Sequence, residues 1–382
     1  MIKYFVGLLV VILIIYVKVR DEVFNSNTLI LGASLPKSGI MKAWGNSVEI
    51  GANAYFKYAN ENKILSDNRK IRLMSYDDKY EPELTIENIN KLIKNKNLFA
   101  FFGFVGTPTV KNIVPIIEED KIPFIAPFTG ASFLRNKDNS IFINFRSSYS
   151  QEINNIINYL NKVNKLTKFA IFYQNDHYGE EGYIALIEAL KKRDLKLHGE
   201  GMYKRNTLSI RHAFSEIKDN EPQAIIMVGA YKANALFIKK AKKEPKLKDA
   251  IFCNISFGDA NEMIKELNYE TDNVLFSQVV PGYNDFKIDV INEYRYLMKK
   301  YFPKEPLGFV SLESFLAAKA IVTAIKNVEG TLTRTKFLEK LKKLPENTLK
   351  GIELNYENNQ LLKGVYLFKY KNSNFVEIKY EH

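Results

Sequence analysis

Phe99-Ala100-Phe101-Phe102-Gly103-Phe104-Val105-Gly106-Thr107-Pro108-Thr109, then a helical stretch, then Pro123-Phe124-Ile125-Ala126-Pro127-Phe128-Thr129-Gly130: this segment decides the fold. The two short apolar runs read as buried strands, and the helix between them makes a parallel unit. Ligands in such folds collect beyond the carboxyl ends of the strands, where both loops lie. Thr107 precedes a proline, so it is placed to cap the helix, with Pro108 at the first helical position. A hydroxyl beside free backbone amides suits a carboxylate or another anion. Taken alone, Thr107 reads as a helix cap.

The alternation extends in both directions. Leu29-Ile30-Leu31-Gly32-Ala33 reads as a first strand, followed by a loop from Ser34 to Met41. The next helix carries Val48, Ala52, Tyr55, Phe56 and Ala59 on one face, the spacing of an amphipathic helix. Gly51 and Ala52 let it approach the sheet closely. A second strand, Ile71 to Met74, ends in Tyr76-Asp77-Asp78, and a helix from Glu81-Pro82 buries Ile86, Ile89, Leu92 and Ile93. Ile141 to Arg146 is extended, and a helix through Ile153, Ile156, Ile157 and Leu160 follows it. The pattern restarts at Phe169-Ala170-Ile171-Phe172, with helices over 180–193, 207–219 and 232–243 and strands near 195–203, 224–228 and 250–253. A strand at Val274 to Phe276, helices near 285–301, 311–327 and 333–344, and a tail of short β segments complete the chain. These two βα runs predict an α/β fold of two doubly wound lobes with a hinge and an interlobe cleft. Residues 28–149 with 281–355 form one lobe on this reading, and 150–280 with 356–382 the other. Crossovers near Arg146–Ser150, Val279–Gly282 and Asn355–Asn358 are the hinges.

A chain of 382 residues suffices for two cores. Its apolar content of 46% and charged content of 26% describe a globular protein rather than a disordered one. The net charge of +12 is spread over lysine pairs such as Lys239-Lys240 and Lys342-Lys343, as on solvated helix faces. No zinc-finger spacing and no basic motif interleaved with aromatic residues appear, so no nucleic-acid partner is expected. Cys253, the one cysteine, sits in an apolar run and reads as a buried, inert thiol. At the N-terminus Lys3 precedes an apolar run from Tyr4 to Val17, then Lys18 and Arg20, which is an export pattern. The run is shorter than the roughly 20 residues of a membrane span, although Lys18 and Arg20 can snorkel. No small-residue cleavage site and no lipobox cysteine follow. Residues 1–24 therefore read as an uncleaved membrane anchor, with a cleaved signal peptide as the rival, and the body of the protein as exported.

Catalytic motifs are scarce. No Walker loop, dinucleotide glycine fingerprint, nucleophile elbow or HExxH occurs. His198 and His212 lie in polar settings and His382 is terminal, whereas His177 follows Asp176 at a strand end. Adjacent residues on an extended loop usually point apart, so an Asp176–His177 acid–base pair is the lesser reading. Asp77-Asp78 lacks further ligands and reads as a turn and helix cap, not a metal site. No cofactor, metal or catalytic residue is expected.

Several segments fall in one order: Gly32-Ala33, Trp44-Gly45, Gly51-Ala52, Tyr76-Asp77-Asp78 with Pro82, and Gly103 to Thr107. Ile125-Ala126-Pro127, Phe145-Arg146, Tyr178-Gly179-Glu180 and Gly229-Ala230-Tyr231 continue it. In this the chain resembles the periplasmic leucine/isoleucine/valine-binding proteins, the type I solute-binding components of ABC transporters, from Thr28 to about Tyr370. The resemblance implies that Thr107, and Phe128 with Gly130, grip the polar head of a ligand; the family's loop position that often carries a threonine is Gly130 here, with Thr129 adjacent as a further candidate. It also implies that Trp44, Tyr178 and Tyr231 wall the cleft. The family's second-lobe acid for a ligand ammonium falls near Ser256, with Asp259 three residues on.

The expectation is an exported solute-binding protein with a monomeric soluble part. Its lobes close over an amino acid, an amide or a related carboxylate, and an ABC permease reads the closed form. Alternatives are a receptor subunit for a membrane sensor kinase and, less favoured, an enzyme using His177 and Asp176.

Overall fold

A computed structural model describes residues 23–380, apart from 25 and 138. The first lobe is built on β1 (Thr28–Leu35), β2 (Lys70–Asp77), β3 (Leu98–Phe102), β4 (Phe124–Ile125) and β5 (Phe142–Ile143). Helices α1 (Lys42–Glu61), α2 (Pro82–Ile93) and α3 (Thr107–Asp120) link the first four strands. The sheet order is β2-β1-β3-β4-β5, and each pair is parallel. Strand β3, Leu-Phe-Ala-Phe-Phe, is buried along its whole length, as a parallel strand covered on both faces must be.

After α4 (Tyr149–Asn158) the pattern repeats through β6 (Phe169–Gln174), α5 (His177–Lys191), β7 (Leu197–Tyr203), α6 (Arg211–Asp219) and β8 (Ala224–Val228). Next come α7 (Tyr231–Ala241), β9 (Ile251–Asn254), α8 (Ala260–Glu266) and β10 (Val274–Gln278). The order β7-β6-β8-β9-β10 matches the first sheet strand for strand. An antiparallel hairpin, β11 (Tyr366–Lys371) with β12 (Asn374–Glu377), extends the edge beyond β10. The two doubly wound lobes expected from the alternation are present. Helix α8 has no counterpart among the sequence expectations.

Helices α9 (Asp289–Tyr301) and α10 (Phe309–Lys326) return to pack on α1, and α11 (Arg334–Lys342) packs on α10. The close approach at Gly51 is therefore to α10 and not to the sheet. A Cβ there would lie 2.2 Å from the Ser311 carbonyl oxygen. The segments beside two of the expected crossovers run side by side, with the Leu361 and Leu362 amides donating to the Asn144 and Phe145 carbonyls, each at 2.9 Å.

The expected signal or anchor, residues 1–24, lies outside the described residues except for Val23 and Phe24. Among the described residues no helix is long and apolar enough to cross a membrane. Phe24 belongs to the first core. Its amide donates to the Leu332 carbonyl at 3.1 Å, its ring meets Phe99 edge-on at 5.0 Å, and Arg334 lies over it at 4.9 Å. Phe24→Ala is expected to destabilise the fold by about 2 kcal/mol, less than a central Phe→Ala because a terminal stretch can relax. A urea midpoint equal to the parent's would remove Phe24 from the core.

Candidate functional site

The carboxyl ends of both sheets face one another across the cleft. In the first lobe β3 leads through Gly103-Phe104-Val105-Gly106 into α3. Gly106 precedes the helix at φ 101°, a conformation that favours glycine, and a Cβ there would meet the Tyr80 ring at 2.2 Å. Thr107 is consequently the first helical residue rather than the cap expected from the sequence, and Pro108 is the second. Freed from capping, the Thr107 hydroxyl lies 2.7 Å from Thr129 Oγ1 and 3.3 Å from the Tyr149 hydroxyl. Thr129 Oγ1 also accepts the Ala131 amide at 3.2 Å. Gly130 seats Tyr149: its carbonyl accepts the Tyr149 amide at 2.9 Å, and a Cβ would lie 2.5 Å from the ring. Three hydroxyls thus converge where α3 and α4 begin.

Beside them stands a block of rings contributed by both lobes. Trp44, buried on α1, meets Phe128 edge-on at 5.7 Å and stacks on Phe257 of the second lobe at 4.8 Å. Its Nε1–H donates to the Phe257 carbonyl at 3.1 Å. Phe257 also lies 4.7 Å from Tyr178 and 6.1 Å from Tyr80, and Tyr178 lies 5.4 Å from Tyr149. Burial holds the Tyr178 hydroxyl well above its ordinary pKa, and among the described residues it has no hydrogen-bond partner.

Trp44, Thr107, Phe128, Thr129, Gly130 and Tyr178 are therefore brought together. Tyr231 and Ser256 are already engaged. The Tyr231 hydroxyl donates to the Ile40 carbonyl at 2.5 Å, a strap between the lobes. Ser256 Oγ accepts from Arg146 Nη2 at 3.0 Å and donates to Glu152 Oε1 at 2.8 Å. Sequence reading did not single out Tyr80, Tyr149 or Phe257 for the site. Of these only Tyr149 carried a usable signal, since it follows the Phe145-Arg146 segment at a helix start.

Arg146 joins the lobes electrostatically. Its Nε and Nη2 donate to the two carboxylate oxygens of Glu313 on α10, at 2.9 and 3.1 Å, and all these groups are buried. Burial pulls the guanidinium pKa down, but Glu313 and Glu152 together hold it above the ordinary value. Nη1 has no partner among the described residues. A cavity of about 550 Å³ opens at the cleft mouth between Pro82, Pro108 and Asn112 on one side and Asp176, His177 and Arg205 on the other. Arg205 spans the mouth, donating to Glu81 at 2.8 Å.

The acid–base alternative fails on geometry. Asp176 caps α5 by accepting the Tyr178 amide and faces Gln174 and Arg205, whereas His177 faces Lys111 and Glu180. Asp77 accepts the Lys37, Ser38 and Lys79 amides, in keeping with a turn. Cys253 is buried, and burial pushes its thiol pKa up.

Asp259, at φ 50°, caps α8 by accepting the Glu262 amide at 3.2 Å. Burial and the Glu262 carboxylate push its carboxyl up to about 7. A carboxyl raised in the fold holds its proton more tightly folded than unfolded. Its stabilisation is therefore complete below the unfolded value of about 4 and is lost as pH rises through the folded one. The melting temperature is expected to fall between pH 5 and 8. Asp259→Asn, neutral and tolerant of the left-handed region, should flatten that fall. Identical profiles for parent and variant would rule the assignment out.

A family model described as periplasmic binding protein matches residues 28–374. Among solved structures, a possible leucine/isoleucine/valine-binding protein from Rhodopirellula baltica SH 1 superposes at TM-score 0.86 with 28% identity, covering 92% of this chain and 96% of that one. A substrate-binding periplasmic protein from Ralstonia solanacearum gives 0.85 and 24%, covering 92% and 100%. An extracellular ligand-binding receptor from Verminephrobacter eiseniae gives 0.79 and 21%, covering 91% and 99%. The latter two, at their lower identities, speak to the fold alone. No match was found among curated proteins.

Proposed function

Because this chain belongs to the periplasmic binding protein family, we propose that it closes its two lobes over a small polar solute and presents it to an ABC permease. The family binds small molecules rather than turning them over, and membership implies export. One observation carries the reading: the Thr107–Thr129–Tyr149 hydroxyls lie at two helix starts beside rings from both lobes. In this reading the hydroxyls take the polar head of an amino acid, amide or related carboxylate, and Trp44, Phe128 and Tyr178 take its body. Gly130 admits Tyr149, while Tyr231 and Ser256 act as straps that form on closure. The crossovers serve as hinges, as in domain closure generally. The apolar N-terminal run directs export and holds the protein at the membrane. Extraction from membranes by detergent but not by salt would support the anchor, and release by washing would overturn it.

The reading is tested by thermal shift on a chain beginning at Val23, so that Phe24 stays in its core. A solute at a hundredfold its Kd should stabilise the fold by about 2.7 kcal/mol. Amino acids, amides, carboxylates, sugars and nucleosides form the panel, and silence throughout would sink solute binding. For a solute that binds, Thr107→Ala should cost about 1.5–3 kcal/mol, roughly ten- to hundredfold in Kd, if its head is charged. Equal affinity by calorimetry would remove Thr107 from the contact.

A further inference from the structure

The polar groups around the ring block divide unevenly, and the division bears on the ligand's charge. Four buried acids and the partly buried Asp176 approach the block, and each is committed inside the protein. Asp78 accepts from Ser34 at 2.7 Å, the Tyr80 amide at 2.9 Å and Thr85 at 3.3 Å. Glu152 accepts the Ser256 amide, Ser256 Oγ and Ser277 Oγ, each at 2.8 Å. Glu313 is held on both oxygens by Arg146. Asp176 takes Gln174 at 2.7 Å and the Tyr178 amide at 3.0 Å. Asp259 caps its helix.

Six buried side-chain atoms lack partners among the described residues; two of them, Arg146 Nη1 and the Tyr178 hydroxyl, lie against the rings and can donate, whereas Asn144 Oδ1 and Asn234 Oδ1 are acceptors away from the ring faces. Arg146 Nη1 carries two N–H groups and accepts nothing, and the Tyr178 hydroxyl has its proton to give. The Arg146 guanidinium lies 5.8 Å from the Trp44 ring, and Tyr178 is in contact with Phe257 at 4.7 Å. The unpartnered donors therefore border the rings where the lobes meet. An acceptor arriving there satisfies groups that otherwise stay buried and unpaired, which is the costly condition. An ammonium arriving there finds each nearby carboxylate already hydrogen-bonded inside the protein, and a buried charge without a partner is strongly disfavoured.

We infer that the ligand is a monocarboxylate with an apolar or aromatic body and no ammonium group, and that the Tyr178 hydroxyl is one of its donors. This rests on the solute-binding reading above and narrows it. Trp44 of one lobe and Phe257 and Tyr178 of the other supply flat faces for the body. The carboxylate takes the donors.

Matched pairs that differ only in the amino group provide the test: leucine against 4-methylpentanoate, and phenylalanine against 3-phenylpropanoate. Calorimetry on the full folded chain is expected to show at least tenfold tighter binding of the acid lacking the amino group in one pair. Equal or tighter binding of the amino acids would overturn this inference and leave solute binding intact. Silence from both pairs would also overturn it, and a shift from some other solute in the wider panel would then keep the binding function. Tyr178→Phe removes a hydroxyl with no hydrogen-bond partner among the described residues, so its melting temperature should stay at or above the parent's while the acid binds about tenfold more weakly. Unchanged affinity in that variant would take Tyr178 out of the contact.

Discussion

Arg146→Met should destabilise the folded protein by about 3–5 kcal/mol, the cost of breaking a buried ion pair from one side. The reason lies in what the arginine leaves behind. Glu313, 3% exposed, has Arg146 on both of its carboxylate oxygens. Ser256 Oγ loses the donor at 3.0 Å that balances its own bond to Glu152. An ionised Glu313 then has to be buried alone, or take up a proton, or pull α10 away from the crossover. A second change discriminates the charge from the packing. Arg146→Met with Glu313→Leu removes both charges and keeps the volume apolar, so most of the loss should return. Urea denaturation of the parent, the single variant and the double variant reads the cycle. A double variant as unstable as the single one would show that the guanidinium matters for its shape, or through Ser256, and not for the pair.

That same pair shows where sequence reading stops. Alternating buried strands and helices were legible because a parallel strand covered on both faces must be apolar throughout, as β3 is. The restart of that alternation at Phe169 made the second lobe legible in the same way, whereas the strand order within each sheet was not. Arg146 and Glu313, by contrast, are 167 residues apart, and no local spacing links them. Phe257 is equally silent: it sits in the short turn Ser256–Gly258, where no periodicity applies, and only the fold lays it on Trp44. Thr107 was legible as a residue of interest but not in its role. The positive φ at Gly106 moves the helix start back by one residue, and that turns the threonine hydroxyl from the backbone towards Thr129. At Gly51 the need for a small residue was legible and the neighbour was not, because α10 returns from the far end of the chain.

Trp44→Ala is the second large effect, and its size should split between two equilibria. A buried Trp→Ala change typically costs about 3–5 kcal/mol. Trp44 touches its own lobe through Phe128 but stacks and hydrogen-bonds across the cleft, on the Phe257 ring and carbonyl. When the lobes part, the second set of contacts is lost in the parent too. Only the share made within the first lobe should therefore appear in global unfolding, and the rest should appear as a bias towards open lobes. A shift of about 1.4 kcal/mol changes such a ratio tenfold. Small-angle scattering is thus expected to show a larger radius of gyration for Trp44→Ala than for the parent, with a smaller loss of melting temperature than a core tryptophan usually brings. Trp44→Phe keeps a ring on Phe257 and loses only the Nε1–H donor, worth about 1 kcal/mol, so its scattering should lie between the two. Superimposable scattering from parent and Trp44→Ala, with the full loss in melting temperature, would make Trp44 a core residue of one lobe and leave closure to Arg146, Arg205 and Tyr231.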